Sequence, residues 1–142
     1  MIYISNLMNL PEGLVKKILL FLFSVFFISA GIDHFVNPSF YLAIMPPAFP
    51  LHLEAVYISG FFEILGGAGL LFSRFRKISG WGLFALLISV YPANIYMAIS
   101  PEAFPDISVS ALYFRLLLQF VFFYWAYSLT KPAFNPPRNE YK

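Results

Sequence analysis

Eight of the nine Lys and Arg residues fall in three clusters, and pairs of long apolar stretches separate one cluster from the next. Lys16 and Lys17 precede the first apolar run, Arg74, Arg76 and Lys77 lie between the second and third, and Lys131, Arg138 and Lys142 follow the fourth. Short basic clusters are retained on the cytoplasmic side of a bilayer. The alternation therefore predicts a chain that crosses a membrane four times with both termini cytoplasmic. The ninth basic residue, Arg115, breaks the pattern by lying inside an apolar run, and so marks a candidate functional layer.

A transmembrane helix takes about 20 predominantly apolar residues. Four segments meet that requirement: Ile18 to Val36, Leu51 to Phe72, Ile78 to Ile99 and Ala111 to Leu129. The reading is an all-α integral membrane four-helix bundle over residues 18–130, with a cytoplasmic N-terminal segment, 1–17, and a cytoplasmic tail, 131–142. Charged residues are only 11% of the chain, against about a quarter in soluble domains. The net charge of +2 comes from the basic clusters, so it reflects topology and not nucleic-acid binding. The absence of cysteine excludes disulfides, thiolate metal sites and thiol relay chemistry within this chain. A cleavable signal peptide is the alternative for the first run, which carries Ser29, Ala30 and Gly31 near its end. Against it, the run continues into Asp33-His34-Phe35 without a turn.

Between the first two runs, Asn37 to Pro50 holds Pro38, Pro46, Pro47 and Pro50 among aromatic and aliphatic residues. It is too apolar for a solvated linker and too proline-rich for a long helix. We read it as a Pro-rich interfacial loop at the membrane surface, with Pro50 opening the second helix. The tail from Pro132 onward is expected to be poorly ordered. Ala55, Ser59, Glu63 and Gly67 recur every fourth position beside Gly60 and Gly66, a small-residue face that permits close helix approach in lipid. Such faces would also suit a homodimer. Pro92 falls inside the third helix, removes the bond to the Ile88 carbonyl and predicts a kink just before Asn94.

Every predicted helix brings a polar or ionisable group: Asp33 and His34 on the first, Ser59 and Glu63 on the second, Asn94 on the third, Arg115 and Gln119 on the fourth. Buried charge in lipid costs about 2.5–3.5 kcal/mol on insertion scales, so these groups face inward and find partners. Counting from the outer ends, Glu63 lies deepest and within reach of Arg115, which predicts that it is either paired or protonated. The functional reading is a pocket for a small polar headgroup, with His34, Ser59, Asn94, Arg115 and Gln119 binding it and Glu63 as proton acceptor. The bland alternative is a network that only fixes helix register. His34 and His52 flank the external loop but would sit at the interface, with His52 solvated, which disfavours a haem pair. Asp33, His34 and Glu54 could form a metal site, though nothing in their spacing fixes its geometry, and no metal is expected. A proton path through Glu63 lacks a second, deeper acid.

The order Gly31-x-x-His34-Phe35-x-x-Pro38, Pro46-Pro47, Ser59-Gly60-x-x-Glu63-x-x-Gly66, Tyr91-Pro92-Ala93-Asn94 and Arg115-x-x-x-Gln119 resembles the DoxX family of small bacterial membrane proteins. The resemblance implies a four-helix bundle in the bacterial cytoplasmic (inner) membrane. Some members of that family are subunits of quinone-linked oxidoreductases. It also implies that His34, Ser59, Glu63, Asn94, Arg115 and Gln119 hold the family's polar positions. Leu117 departs from it, because proline is common there. With no ligand set for an intrinsic cofactor, the chain is expected to be an accessory redox subunit with a bound quinone or lipid and a redox-enzyme partner. The alternatives are a membrane assembly scaffold and a small-solute or proton transporter.

Overall fold

The structure, a computed structural model, describes residues 7–137. Among them the regular elements are all helical: α1 (Leu14–Val36), α2 (Pro38–Ile44), α3 (His52–Leu71), α4 (Arg76–Ile99), a 3-10 turn (Pro101–Ala103) and α5 (Val109–Leu129). Helices α1, α3, α4 and α5 are each long and apolar enough to cross a membrane. Their outward surfaces carry exposed large apolar side chains at every level, among them Val25, Ile58, Leu65, Ile88, Leu117 and Val121. Water does not tolerate such a surface around a whole domain, whereas a bilayer solvates it.

Three of the four long helices begin earlier than hydropathy alone places them. α1 opens at Leu14 and carries Lys16 and Lys17 within it, and α4 opens at Arg76. Long basic side chains reach the interface from a helical turn, so a charge near a span's end does not terminate the helix. At the other loop the expectation was different: Pro38, not Pro50, opens a helix, the short α2. Leu51 takes the left-handed conformation (φ 53°, ψ 52°) and α3 starts behind it at His52. Pro50 is thus separated from α3 by a reversal of the backbone. α4 runs unbroken across Pro92. One turn before that proline, Gln119 Nε2 donates to the Leu87 carbonyl (3.0 Å), a cross-helix bond near the point where the proline interrupts the ladder.

α1 packs on α3, α3 on α4 and α4 on α5. The α1–α3 crossing is the tightest because Gly31 and Gly60 face each other. A Cβ on Gly60 would lie 2.6 Å from His34 Cβ and 2.8 Å from the Gly31 oxygen, so nothing larger than hydrogen fits. Ser24 adds a hydrogen bond from Oγ to the Gly67 oxygen (2.6 Å).

One end of the bundle is closed by Arg76, which is fully buried. Its guanidinium has five N–H donors, and each finds a backbone carbonyl: Leu70, Asn9, Phe134, Met8 and Leu71, at 2.6–3.4 Å. The three basic clusters therefore meet at one end, as far as they lie in the described residues. Arg138 and Lys142 lie outside them. The expected disorder of the tail from Pro132 is corrected for residues 132–137, and its remainder lies outside the described residues. Phe134 is buried there, and Asn135 Nδ2 donates to the Leu129 and Lys131 carbonyls. Two apolar clusters result, one of Leu20, Phe23, Leu70 and Leu83 toward the Arg76 end, the other of Ile44, Met97, Phe104 and Leu112 toward the opposite end.

Candidate functional site

Between those clusters lies a cavity of about 570 Å³, within the range of small-ligand pockets. His34, Ser59, Glu63, Asn94, Arg115 and Gln119 all line it, together with a largely aromatic and aliphatic wall from α1, α2 and the stretch Met45 to Phe49. The glycine contact places its first pair. A Cβ at Gly60 would lie 2.6 Å from His34 Cβ, so His34 sits level with Gly60, and Glu63 lies one turn nearer the Arg76 end of the antiparallel α3. Each side chain leans toward its own helix N-terminus, which brings the two together. His34 Nδ1 lies 3.1 Å from Glu63 Oε2. Both groups are buried.

That contact has the distance of an ion pair but not the geometry of a hydrogen bond. His34 Nδ1 also lies 2.9 Å from the Ala30 oxygen. Facing two oxygens, it must carry the ring proton, and the Ala30 carbonyl takes it. Glu63 Oε2 is left buried without a hydrogen-bond donor among the described residues. Of the two states expected for Glu63, a pairing within reach of Arg115 is not found: His34–Glu63 is the one ion-pair contact among the described residues. Counting turns put Arg115 within reach of the deeper Glu63 but could not say which helices sit side by side.

Arg115 is in the complementary condition. Its Nε is buried with no hydrogen-bond partner among the described residues, and its guanidinium carbon lies 6.0 Å from the centre of the Phe40 ring. An unsatisfied buried polar group costs about 1–3 kcal/mol, so an orphan acceptor and an orphan donor on one cavity are two costs that a single ligand could remove. Gln119 is differently employed. Its Oε1 accepts from Asn94 Nδ2 (2.9 Å) while its Nε2 holds the Leu87 carbonyl, so it aims Asn94 into the cavity and locks α4 to α5. Ser59 lines the α3 wall one turn outward of Glu63.

Tyr41 is the residue that sequence reasoning missed. Its ring stacks on His34 (centroids 3.6 Å apart) and its hydroxyl donates to Asp33 Oδ2 (2.8 Å). Asn37 Nδ2 donates to the other oxygen of the same carboxylate. Burial first, and then the bond to the Asp33 carboxylate, push the Tyr41 phenol above its ordinary value. The signal was present as Asp33, Asn37 and Tyr41 at intervals of four. His52, expected to be solvated, is half-buried and does not line the cavity, so the two histidines do not share one space. No three His, Asp or Glu side chains among the described residues are placed to hold a metal ion.

Residues 23–130 match the model of a family described as a domain of unknown function, DUF8561. The chain belongs to this family. The matched stretch takes in every residue of the polar layer, so the cavity is a feature of the DUF8561 domain in this chain. No curated protein and no solved structure matches it.

Proposed function

We propose that this DUF8561 protein is a multi-pass protein of the bacterial inner membrane. In this reading the cavity holds the polar head of a membrane amphiphile, quinone-like or lipid, for a redox system in which the chain is an accessory subunit. One observation carries the reading. Polar side chains from all four long helices line a single cavity, and two of them, Glu63 and Arg115, keep buried polar atoms without partners. A network that served only helix register would satisfy its own members, as Gln119 and Asn94 do.

The chemistry asked of the ligand is specific. Arg115 offers N–H to a carbonyl or phosphate oxygen, and Glu63 Oε2 accepts from a hydroxyl or takes its proton with His34 Nδ1 beside it. Asn94 adds a third polar contact, and the aromatic wall suits a ring or the upper part of a chain. The quinone-linked reading also draws on the DoxX-like order of motifs. The basic clusters at the Arg76 end support a cytoplasmic position for that end and for both termini. The cavity then lies in the outer half of the bilayer, with the Pro-rich stretch at the outer interface. No electron-carrier ligand set is found among the described residues, so electrons would pass through a partner protein.

The test is mass spectrometry of small molecules co-extracted with the protein in mild detergent. A defined quinone or lipid should accompany the wild type and be lost from Arg115→Leu and depleted in Glu63→Gln. An identical bulk-lipid profile in all three would favour a scaffold role for the polar layer.

A further inference from the structure

The four long helices do not close into a ring. α1 approaches α3 closely, α3 approaches α4 and α4 approaches α5, but α1 and α5 have no comparable backbone contact. Both nevertheless line the cavity, α1 through Phe26, Ala30 and His34, and α5 through Arg115, Leu118 and Phe122. What joins them is aromatic. Phe23 meets Trp125 with centroids 4.8 Å apart, and Phe26 stacks on Phe122, also at 4.8 Å and tilted by 22°.

These pairs set an antiparallel register. One turn outward from Phe26 and Phe122, the next residues on the two facing helices are Ala30 and Leu118. A methyl stands there where a phenyl stood one turn below, so the aromatic zip ends at the level of the cavity. Phe26 itself is 47% exposed on the outside of the bundle while lining the cavity on the inside. The outer end of the cavity, by contrast, is roofed by α2 and the stretch through Pro46 to Phe49.

We infer that the seam between α1 and α5, above the Phe26–Phe122 pair, is a lateral portal through which the ligand passes from the lipid and along which its single apolar tail lies when bound. This rests on the reading of the cavity as an amphiphile site and adds the ligand's class: one polar head on one flexible apolar chain, reaching the site within the bilayer plane and not from the aqueous phase. The seam carries no hydrogen bond or ion pair among the described residues, so opening it requires ring rotation only.

The chain lacks cysteine, which makes the test direct. Phe26→Cys together with Phe122→Cys is bridged in nanodiscs by a short thiol-cleavable bis-thiosulfonate linker. Loading is then compared in the bridged and released states for a decyl-chain benzoquinone and a monodecanoyl lysophosphatidylglycerol, with unsubstituted benzoquinone and glycerol phosphate as tail-less controls. Bridging should slow loading of whichever tailed probe binds by at least about tenfold and leave its tail-less control within about twofold, with recovery on cleavage. Ala30→Trp, which fills the seam without a linker, should act in the same direction. Tailed loading that is indifferent to both changes would overturn the portal and move the route to the roof at Phe40 and Phe49. Absence of loading by every probe in the released state would overturn the amphiphile site itself, and the portal with it.

Discussion

Replacing Gly60 by alanine tests the packing that builds the site. The new Cβ would lie 2.6 Å from His34 Cβ and 2.8 Å from the Gly31 oxygen. Carbon atoms in good contact sit about 3.5–4.0 Å apart, so α1 and α3 must part by roughly 1 Å at this level. Strain of that kind costs about 1–3 kcal/mol, offset by about 0.5–1 kcal/mol because glycine inside a helix is entropically unfavourable. The net expectation is a loss of about 1–2 kcal/mol of stability. Gly82 is the control. It also lies inside a helix, α4, but a Cβ there meets nothing within 4 Å. Gly82→Ala should therefore stabilise by about 0.5–1 kcal/mol. Reversible unfolding in mixed micelles measures both. The same parting lengthens the 3.1 Å contact between His34 Nδ1 and Glu63 Oε2, which imidazole ¹⁵N chemical shifts would report in Gly60→Ala and not in Gly82→Ala. If the two substitutions changed stability in the same direction, or the His34 signals were identical in both, the glycine contact would not be what positions the pair.

Other outcomes follow from the same geometry. Arg76→Lys keeps the charge but has three donors for five carbonyls, and should lose about 2–5 kcal/mol of unfolding free energy together with protease resistance at the chain ends. Gln119→Leu should cost about 1–3 kcal/mol in unfolding experiments by stranding Asn94 and the Leu87 carbonyl. Tyr41→Phe removes the bond to Asp33, at about 1 kcal/mol, and with it one component of alkaline destabilisation. A phenol whose value rises on folding binds its proton more tightly in the native state. Its contribution is therefore present at neutral pH and lost as pH climbs above about 10. Stability of wild type and Tyr41→Phe across that window should converge as pH rises; parallel curves would contradict the sign.

The spans were legible because lipid imposes one strong requirement, a long apolar helix, that composition records directly. The polar layer was legible for the converse reason: His34, Glu63, Asn94, Arg115 and Gln119 are costly in such helices unless they meet, and all of them line one cavity. Their pairing was not legible. Depth along a helix follows from counting residues, but neighbourhood depends on crossing, and Glu63 lies against His34 because Gly31 and Gly60 bring α1 onto α3. Gly31 and Gly60 are only two of the chain's eight glycines, and nothing in their spacing says that they face each other. Arg76 was hidden by its partners. Backbone carbonyls leave no side-chain signature, so a buried five-bond clamp looked like one more cytoplasmic charge. Tyr41 was hidden by the prolines around it, which argued for a loop where the short helix α2 forms.

The central claim is that one ligand head joins Arg115 to Glu63 across the cavity. A density map of the wild-type protein in nanodiscs drawn from its native membrane, enlarged by a bound antibody fragment for cryo-electron microscopy, tests it most directly. The account predicts continuous non-protein density within hydrogen-bond reach of both Arg115 Nε and Glu63 Oε2, with a tail leaving between α1 and α5. A cavity holding only separate waters, or closed by a direct Arg115–Glu63 ion pair, would contradict it.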